Sequence, residues 1–206
     1  MVRIMREKEE FLDALDQYFG EHGGVMRTNE LYEIGLTYRN IDRLVRKQIL
    51  VRIKSGYYAL ASQNRSESQQ MHALFSDSVL TMETAMYYYG YLDEKPFCWN
   101  IAVDKNTSKS RFKIDYPIVE PYYTEPEVLK LGCTTIDIEG QEFLIYDKER
   151  LVCDCLKYEN KLDHEIYKKA IMGYLKEPEK NIEALTHYAK ERKVSGKLQA
   201  TIGVWL

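Results

Sequence analysis

Residues 27–60 read RTNELYEIGLTYRNIDRLVRKQILVRIKSGYYAL and contain the helix caps and turn residues that predict the architecture of the first domain. A short helix over 29–34 is predicted to begin after the capping residue Thr28. Thr37 is the expected cap of the next helix, which runs from Tyr38 to Gln48 with apolar residues at helical spacing. These residues therefore predict two short helices in succession, joined by a tight turn.

The flanking residues extend this pattern on both sides. Upstream, apolar residues at helical spacing between Lys8 and Phe19 predict a first helix. Downstream, strand-like runs at 50–53 and 57–60 flank Lys54-Ser55-Gly56, which predicts a β-hairpin with glycine in its turn. Three helices followed by a hairpin are typical of a winged helix-turn-helix, in which the hairpin forms the wing.

The charge of the third helix points to a ligand. At about 100° per residue, Arg39, Arg43 and Arg46 fall on one face and the apolar residues on the opposite one. Residues 37–56 contain six basic side chains against the single acidic Asp42, in a chain whose net charge is −3. A basic face on a helix held to the core by its other face predicts contact with DNA in the major groove.

The candidate DNA contacts fall into two groups, those to base edges and those to phosphates. The start of the helix is expected to approach base edges, and an asparagine there can pair with adenine. Side chains further along the helix and in the wing are suited to phosphates. The predicted DNA-binding residues are Thr28, Thr37, Tyr38, Arg39, Asn40, Arg43, Arg46, Lys47, Arg52, Lys54 and Ser55. The alternative is an ordinary amphipathic helix with a solvated basic face, or a winged helix that binds protein.

The composition is that of a globular protein, with 206 residues of which 45% are hydrophobic. Apolar residues become sparse over 61–70, which predicts a DNA-binding domain over 1–62 and a second domain over 63–206. We expect a cytoplasmic protein, because the sequence shows neither a secretory signal nor a membrane-spanning run. The four cysteines lack the spacing of a disulfide framework, as expected in a reducing compartment.

The second domain is predicted to be mixed α/β, which makes the whole chain α+β. The predicted strands are 99–104, 111–114, 117–123, 135–138 and 143–146. The predicted helices are 82–89, one that Asp147 caps, one that Asp163 caps, and 181–192. At the end of the chain, Val194, Leu198, Ile202 and Trp205 stand at helical spacing.

Residues with other chemistry suggest no cofactor, metal site or catalytic centre. Cys153 and Cys155 would point apart on a helix, so we expect buried structural thiols rather than zinc ligands. Arg150 and Asp154 are spaced to form an ion pair on one helix, with a structural role. Asp137 and Glu139 would share one face of a strand, which leaves a metal-dependent nuclease as a less favoured alternative.

Several of these segments resemble the AbiEi-type antitoxins of type IV toxin–antitoxin and abortive-infection systems. The resemblance is carried by 27–31, Gly35-Leu36, 41–45 and 56–60 in the first domain, and by 81–85, Tyr89-Gly90 and 145–154 in the second. It spans about residues 8–206. The run Thr37–Asn40 does not match the family pattern, which leaves the operator sequence open.

The resemblance implies an antitoxin that also represses its own operon by binding inverted repeats in the promoter. The second domain would counteract a toxin of nucleotidyltransferase fold encoded next to it, without a stable complex. Because one winged helix makes few contacts, we expect two copies on DNA, as a dimer or by cooperative binding. The alternative is a stand-alone regulator whose second domain senses a ligand.

Overall fold

The computed structural model describes the backbone of residues 2–63 and 65–203, and side chains from residue 10 onward. Trp205, predicted to extend the last helix, lies outside the described residues. Contacts divide the chain into two compact units. The first comprises 1–76, 113–117 and 138–141, and the second comprises the remainder. The division into domains at residue 62 stays a prediction.

In its described residues, the first unit contains four helices and three strands. They are α1 (Val2–Glu21), β1 (Val25–Arg27), α2 (Thr28–Glu33), α3 (Tyr38–Arg46), β2 (Leu50–Lys54), β3 (Tyr57–Leu60) and α4 (Glu67–Phe75). The strands form an antiparallel sheet in the order β1-β3-β2. This order of elements is compatible with a winged helix.

Apolar residues from each of the first six elements meet in one core. Those buried are Leu15, Phe19, Met26, Leu31, Leu36, Ile41, Leu44, Leu50, Tyr58 and Leu60. Side chains of α1, α2 and α3 thus pack together with one side of the sheet. Burial of apolar surface on this scale is the main stabilising contribution in so small a unit.

Three of the predicted helices in this unit have other boundaries. The first helix, predicted between Lys8 and Phe19, runs from Val2 to Glu21. Thr28 is the first helical residue of α2, and Arg27 is the cap: its N–H donates to the Glu30 carboxylate at 2.6 Å. Helix α3 ends at Arg46 rather than Gln48, because Gln48 takes a left-handed conformation with φ of 54°. The strand β1 was not predicted, since three residues are too few to show a period.

The described part of the second unit contains five strands and six α-helices. They are β4 (Val79–Leu80), α5 (Met82–Tyr88), β5 (Trp99–Asp104), β6 (Val119–Thr124), α6 (Pro126–Leu129), β7 (Cys133–Ile138), β8 (Gln141–Tyr146), α7 (Lys148–Lys157), α8 (His164–Leu175), α9 (Ile182–Glu191) and α10 (Ser195–Thr201). The sheet order is β6-β5-β4-β8-β7, with β4 antiparallel to β5 and parallel to β8. The prediction of an α+β protein is confirmed.

The strand predicted at 111–114 is wrong, because the chain forms a 3₁₀ turn at Lys109–Phe112 instead. The Ser108 hydroxyl accepts the N–H of Ser110 at 3.3 Å, and its carbonyl accepts the N–H of Arg111 at 3.0 Å. Serine side chains that bond to nearby backbone compete with sheet formation in this way.

Helices α7 to α10 share a second apolar core. Asp147 and Asp163 cap α7 and α8 as predicted: Asp147 accepts the N–H of Arg150, and Asp163 accepts those of Glu165 and Ile166. The buried residues include Val152, Cys153, Ile171, Leu185 and Leu198. The predicted burial of Cys153 and Cys155 is confirmed. Burial raises the pKa of the Cys153 thiol to about 12, which keeps it protonated.

Candidate nucleic-acid interface

Helix α3 presents its basic residues to solvent and its apolar residues to the core. Ile41 and Leu44 are buried, whereas Arg39, Arg43, Arg46 and Lys47 are exposed. The predicted division of the helix into two faces is therefore confirmed. Arg46 pairs with Asp42 one turn away at 3.0 Å, but its side chain stays 79% exposed. A surface pair of this kind contributes little to stability, so the guanidinium remains available to another partner.

The start of α3 is fixed by reciprocal hydrogen bonds. The Thr37 hydroxyl accepts the N–H of Asn40 at 3.3 Å, and the Asn40 side-chain oxygen accepts the N–H of Thr37 at 2.9 Å. The Thr37 hydroxyl also donates to that oxygen. This capping box satisfies two of the amides that a helix start leaves open.

Pairing with adenine N6 and N7 would require the Asn40 side-chain oxygen as an acceptor. That oxygen is already engaged by Thr37. In this geometry Asn40 stabilises the start of the helix, and a bidentate contact to a base would require the cap to open. Tyr38, by contrast, is 69% exposed and stands at the same end of α3.

The hairpin of β2 and β3 has a two-residue turn, Ser55-Gly56, rather than the predicted three. Gly56 takes a φ of 79°, a left-handed value that glycine adopts without strain. Arg52 donates to the Ser55 hydroxyl at 3.2 Å, and both side chains are exposed at the turn. These two residues are thus accessible to a ligand, as the prediction of a wing requires.

Lys54 was predicted to contact phosphate from the tip of the hairpin, but its side chain lies against two aromatic rings. Its Nζ lies 4.1 Å from the ring centre of Tyr57 and 5.2 Å from that of Phe75. The pairing register shifts between Arg52 and Lys54, which re-aims the side chain. Lys54 is half-buried on these rings, so a phosphate contact from it would have to compete with the cation–π contact.

Sequence reasoning missed Arg27 as a candidate contact. It is exposed at the end of β1, and its guanidinium lies 5.5 Å from the ring centre of Tyr57. Thr28, the next residue, donates its N–H to the Gly56 carbonyl at 2.9 Å, which joins the start of α2 to the turn of the β2–β3 hairpin. The pairing of β1 with β3 places Arg27 beside Tyr57. The sequence did not indicate this position because β1 itself was not predicted.

The predicted contacts therefore fall into three groups within the first unit. Arg39, Arg43, Arg46 and Lys47 follow the exposed face of α3, with Tyr38 at its start. Arg52 and Ser55 lie at the turn of the β2–β3 hairpin, and Thr28 is joined to that turn. Thr37, Asn40 and Lys54 make intramolecular contacts that stabilise the helix start and the wing. That any of these residues binds DNA stays a prediction.

The residues considered for other chemistry lie in the remainder of the chain. Arg150 and Asp154 form the predicted ion pair at 3.3 Å, and both are buried. Asp137 lies in β7, but Glu139 lies in the turn after it with a φ of 54°, so the two do not continue one strand face. Among the side chains of residues 10–63 and 65–203, no group of three histidine, cysteine or acidic residues is placed to hold a metal ion.

None of the described helices has both the length and the apolar character that a membrane crossing requires. No curated protein matches the chain with significant similarity. Residues 13–61 match a family model described as "Transcriptional regulator, AbiEi antitoxin". The matched segment runs from within α1 to just past β3 and so contains the candidate interface. The resemblance is thereby confirmed for this segment: residues 13–61 are similar to transcriptional regulators of the AbiEi antitoxin family.

Proposed function

We propose that the protein is an antitoxin and a DNA-binding repressor of its own operon, acting through a winged helix-turn-helix in the first unit. Helix α3 is the recognition helix, and the β2–β3 hairpin is the wing. The observation that carries this proposal is the exposed basic face of α3, backed by buried Ile41 and Leu44, within the segment that matches the family.

The geometry supports a division of labour along the interface. Arg39 stands in the first turn of α3, where recognition helices approach base edges, and Arg43 lies one turn further along the same face. Arginine suits that position because its planar fork binds guanine O6 and N7 together. Arg46 and Lys47 at the other end of α3, with Arg52 in the wing, bind phosphates and set the register.

Function in this proposal is binding rather than catalysis, and it requires two copies of the protein. The few basic side chains of one unit supply mainly salt-sensitive, sequence-independent affinity. Two units on an inverted repeat double the contacts and add specificity, whether the copies dimerise or bind cooperatively. Following the family, the rest of the chain counteracts a toxin of nucleotidyltransferase fold without forming a stable complex with it.

Footprinting on the promoter of the protein's own gene tests the repressor. Wild type is compared with Arg39→Ala/Arg43→Ala over a salt series. We expect paired protected half-sites with wild type and their loss in the double variant. The matched control is Lys168→Ala/Lys190→Ala, which removes the same charge from exposed positions on α8 and α9 and should leave the footprint intact. Equal protection of random DNA at low salt would overturn the proposal.

Co-expression tests the antitoxin role separately. The gene adjacent to this one is induced alone and together with the wild-type chain or Arg39→Ala/Arg43→Ala. Growth arrest that both forms relieve equally would support an antitoxin activity independent of DNA binding. An adjacent gene without toxicity would overturn this part of the proposal and leave the repressor to stand on the footprint.

A further inference from the structure

Helix α1 has an apolar stripe beside the face that enters the core. Leu15 and Phe19 belong to the core and are buried. Phe11 and Tyr18 instead keep 39% and 41% of their surface exposed, and Ala14 between them is exposed as well. At about 100° per residue, Phe11, Ala14 and Tyr18 lie within about 60° of one another around the helix. These three residues are called the α1 stripe.

The α1 stripe extends symmetrically from the middle of the helix. Helix α1 runs from Val2 to Glu21, and Phe11 stands at its midpoint. Tyr18 follows Phe11 by seven positions, and Ile4 precedes it by seven. Seven residues make about two turns, so the spacing places all three on one side of the helix. Such a pattern can face a second copy of itself when two helices pack antiparallel around a twofold axis.

The charges along α1 run opposite to the order that suits a helix alone. Residues 2–8 contain three basic side chains and one acidic, whereas residues 9–21 contain five acidic side chains and no basic one. The helix dipole favours acidic residues in the first turn and basic residues in the last, and α1 has neither. This order costs stability in one copy. In an antiparallel pair, however, it brings each basic start beside an acidic end.

The two ends of α1 contain opposite charges on the side of the stripe. Arg3 and Glu21 are separated by 18 positions, which is five turns, so they stand at the same angle around the helix. Glu21 accepts a hydrogen bond from Nε2 of Gln17 at 3.0 Å, and among the described side chains no lysine or arginine pairs with it. Antiparallel packing centred on Phe11 would place Arg3 beside the partner's Glu21 at both ends of the interface.

We propose that the α1 stripe is the contact between two copies of this protein, with the helices antiparallel and Phe11 at the twofold axis. Phe11 meets its own counterpart there, and Arg3 pairs with the partner's Glu21. This inference builds on the proposed function, which requires two copies on an inverted repeat, because a twofold dimer matches the symmetry of such a site. The dimer is measured without DNA, so its failure leaves binding of single units to DNA unaffected.

Sedimentation velocity of the full-length protein without DNA tests the dimer. We expect a reversible dimer between about 1 and 200 µM, since one pair of helices is a small interface. Phe11→Ala should weaken dimerisation about tenfold or more, because one substitution removes apolar surface from both copies. Tyr32→Ala is the matched control: Tyr32 is 47% exposed on α2, outside the stripe, and its loss should leave the dissociation constant unchanged.

Charge reversal tests the antiparallel arrangement. Arg3→Glu and Glu21→Arg should each weaken dimerisation about three- to tenfold, because like charges then meet at both ends. Each change also gives α1 the charge that its dipole favours, so loss of the helix does not explain the effect. An equimolar mixture of the two variants should dimerise within about twofold of wild type, since opposite charges face each other again in the mixed dimer.

The control for this mixture is Glu33→Arg, which reverses the same charge at the last residue of α2. Mixed with Arg3→Glu, it should not restore dimerisation. A monomer at every concentration would overturn the proposal. So would a mixture of Arg3→Glu and Glu21→Arg that dimerises no better than either variant alone, because the helix ends would then not meet. Far-ultraviolet circular dichroism verifies the fold of each variant.

Discussion

The backbone N–H of Thr37 donates to the side-chain oxygen of Asn40 at 2.9 Å, and this bond determines what Asn40 can do. If α3 is a recognition helix, as proposed, the residues that hold its first turn also position its later contacts. The sequence alone suggested a base reader at Asn40, whereas the structure places it in a capping box. A capping role predicts an effect of Asn40 on stability, whereas a base-reading role predicts an effect on DNA binding.

Replacement of Thr37 by alanine should lower the free energy of unfolding by about 1 kcal/mol, because a capping hydroxyl is lost. Urea unfolding measures the loss. Asn40→Asp keeps a side-chain oxygen for the Thr37 N–H and should leave stability within about 0.5 kcal/mol of wild type. Were Asn40→Asp as destabilising as Thr37→Ala, the capping role of Asn40 would be refuted.

Arg27→Ala should weaken DNA binding about equally on specific and random sequences. We place Arg27 at the wing because its guanidinium lies over Tyr57, next to the bond between Thr28 and Gly56. A lost phosphate contact reduces the slope of log affinity against log salt by about 0.9. Fluorescence anisotropy over a salt series measures that slope. Arg65→Ala, which removes a charge from a half-buried site in the same unit, should leave it unchanged.

Lys54→Ala should destabilise the first unit more than Lys47→Ala does. Lys54 lies over the rings of Tyr57 and Phe75, whereas Lys47 is exposed. A partly desolvated cation–π contact contributes about 0.5–1 kcal/mol or more. Thermal unfolding of the two variants compares them directly. Equal melting temperatures would show that the aromatic contacts of Lys54 contribute nothing measurable.

Stability at acid pH should depend on Asp77. Arg111 donates to both carboxylate oxygens of Asp77, one at 2.7 Å, and these hydrogen bonds lower the pKa of that carboxyl. The stabilisation is present above the ordinary pKa of about 3.9 and is lost as the pH falls through the lowered value of the folded state. Asp77→Asn should therefore have a lower free energy of unfolding than wild type at pH 6, and the two values should converge at lower pH. Urea unfolding at both ends of this range gives the difference, and a constant gap would contradict the ion-pair explanation.

Asp154→Asn should be strongly destabilising, by about 3–5 kcal/mol, because it leaves two buried guanidinium groups without a carboxylate. Chemical denaturation of the full chain measures it. Asp163→Asn changes the same charge at an exposed helix cap and should cost far less, since asparagine also caps helices. Similar losses in the two variants would argue against an essential buried pair.

The sequence predicted those parts of the fold in which local chemistry decides the outcome. The start of α3 followed from Thr37, the hairpin from Gly56, and the strand Trp99–Asp104 from its apolar run. The 3₁₀ turn at 109–112 was missed because side-chain hydrogen bonds of Ser108 outweigh the strand preference of its neighbours.

What the sequence left open depends on pairing between distant residues. The strand β4 lies at the centre of its sheet although it has two residues, and its parallel partner β8 follows about sixty positions later. Arg192 joins Asp154 across 38 positions, so the predicted pair of Arg150 and Asp154 was only part of the cluster. In the candidate interface, the exposure of α3 was predictable from its period, whereas the place of Arg27 depended on β1.

The hydrogen bond from the Thr28 N–H to the Gly56 carbonyl holds the turn of the β2–β3 hairpin to the start of α2. A free hairpin would sweep through many orientations and lose that freedom on meeting a ligand, which reduces affinity. Here the turn is anchored to the first residue of α2, in the same core as α3, before any ligand arrives. If the hairpin is the wing of the proposed DNA-binding unit, we expect its distance from α3 to be set before DNA binds, so that duplexes with another groove width bind more weakly.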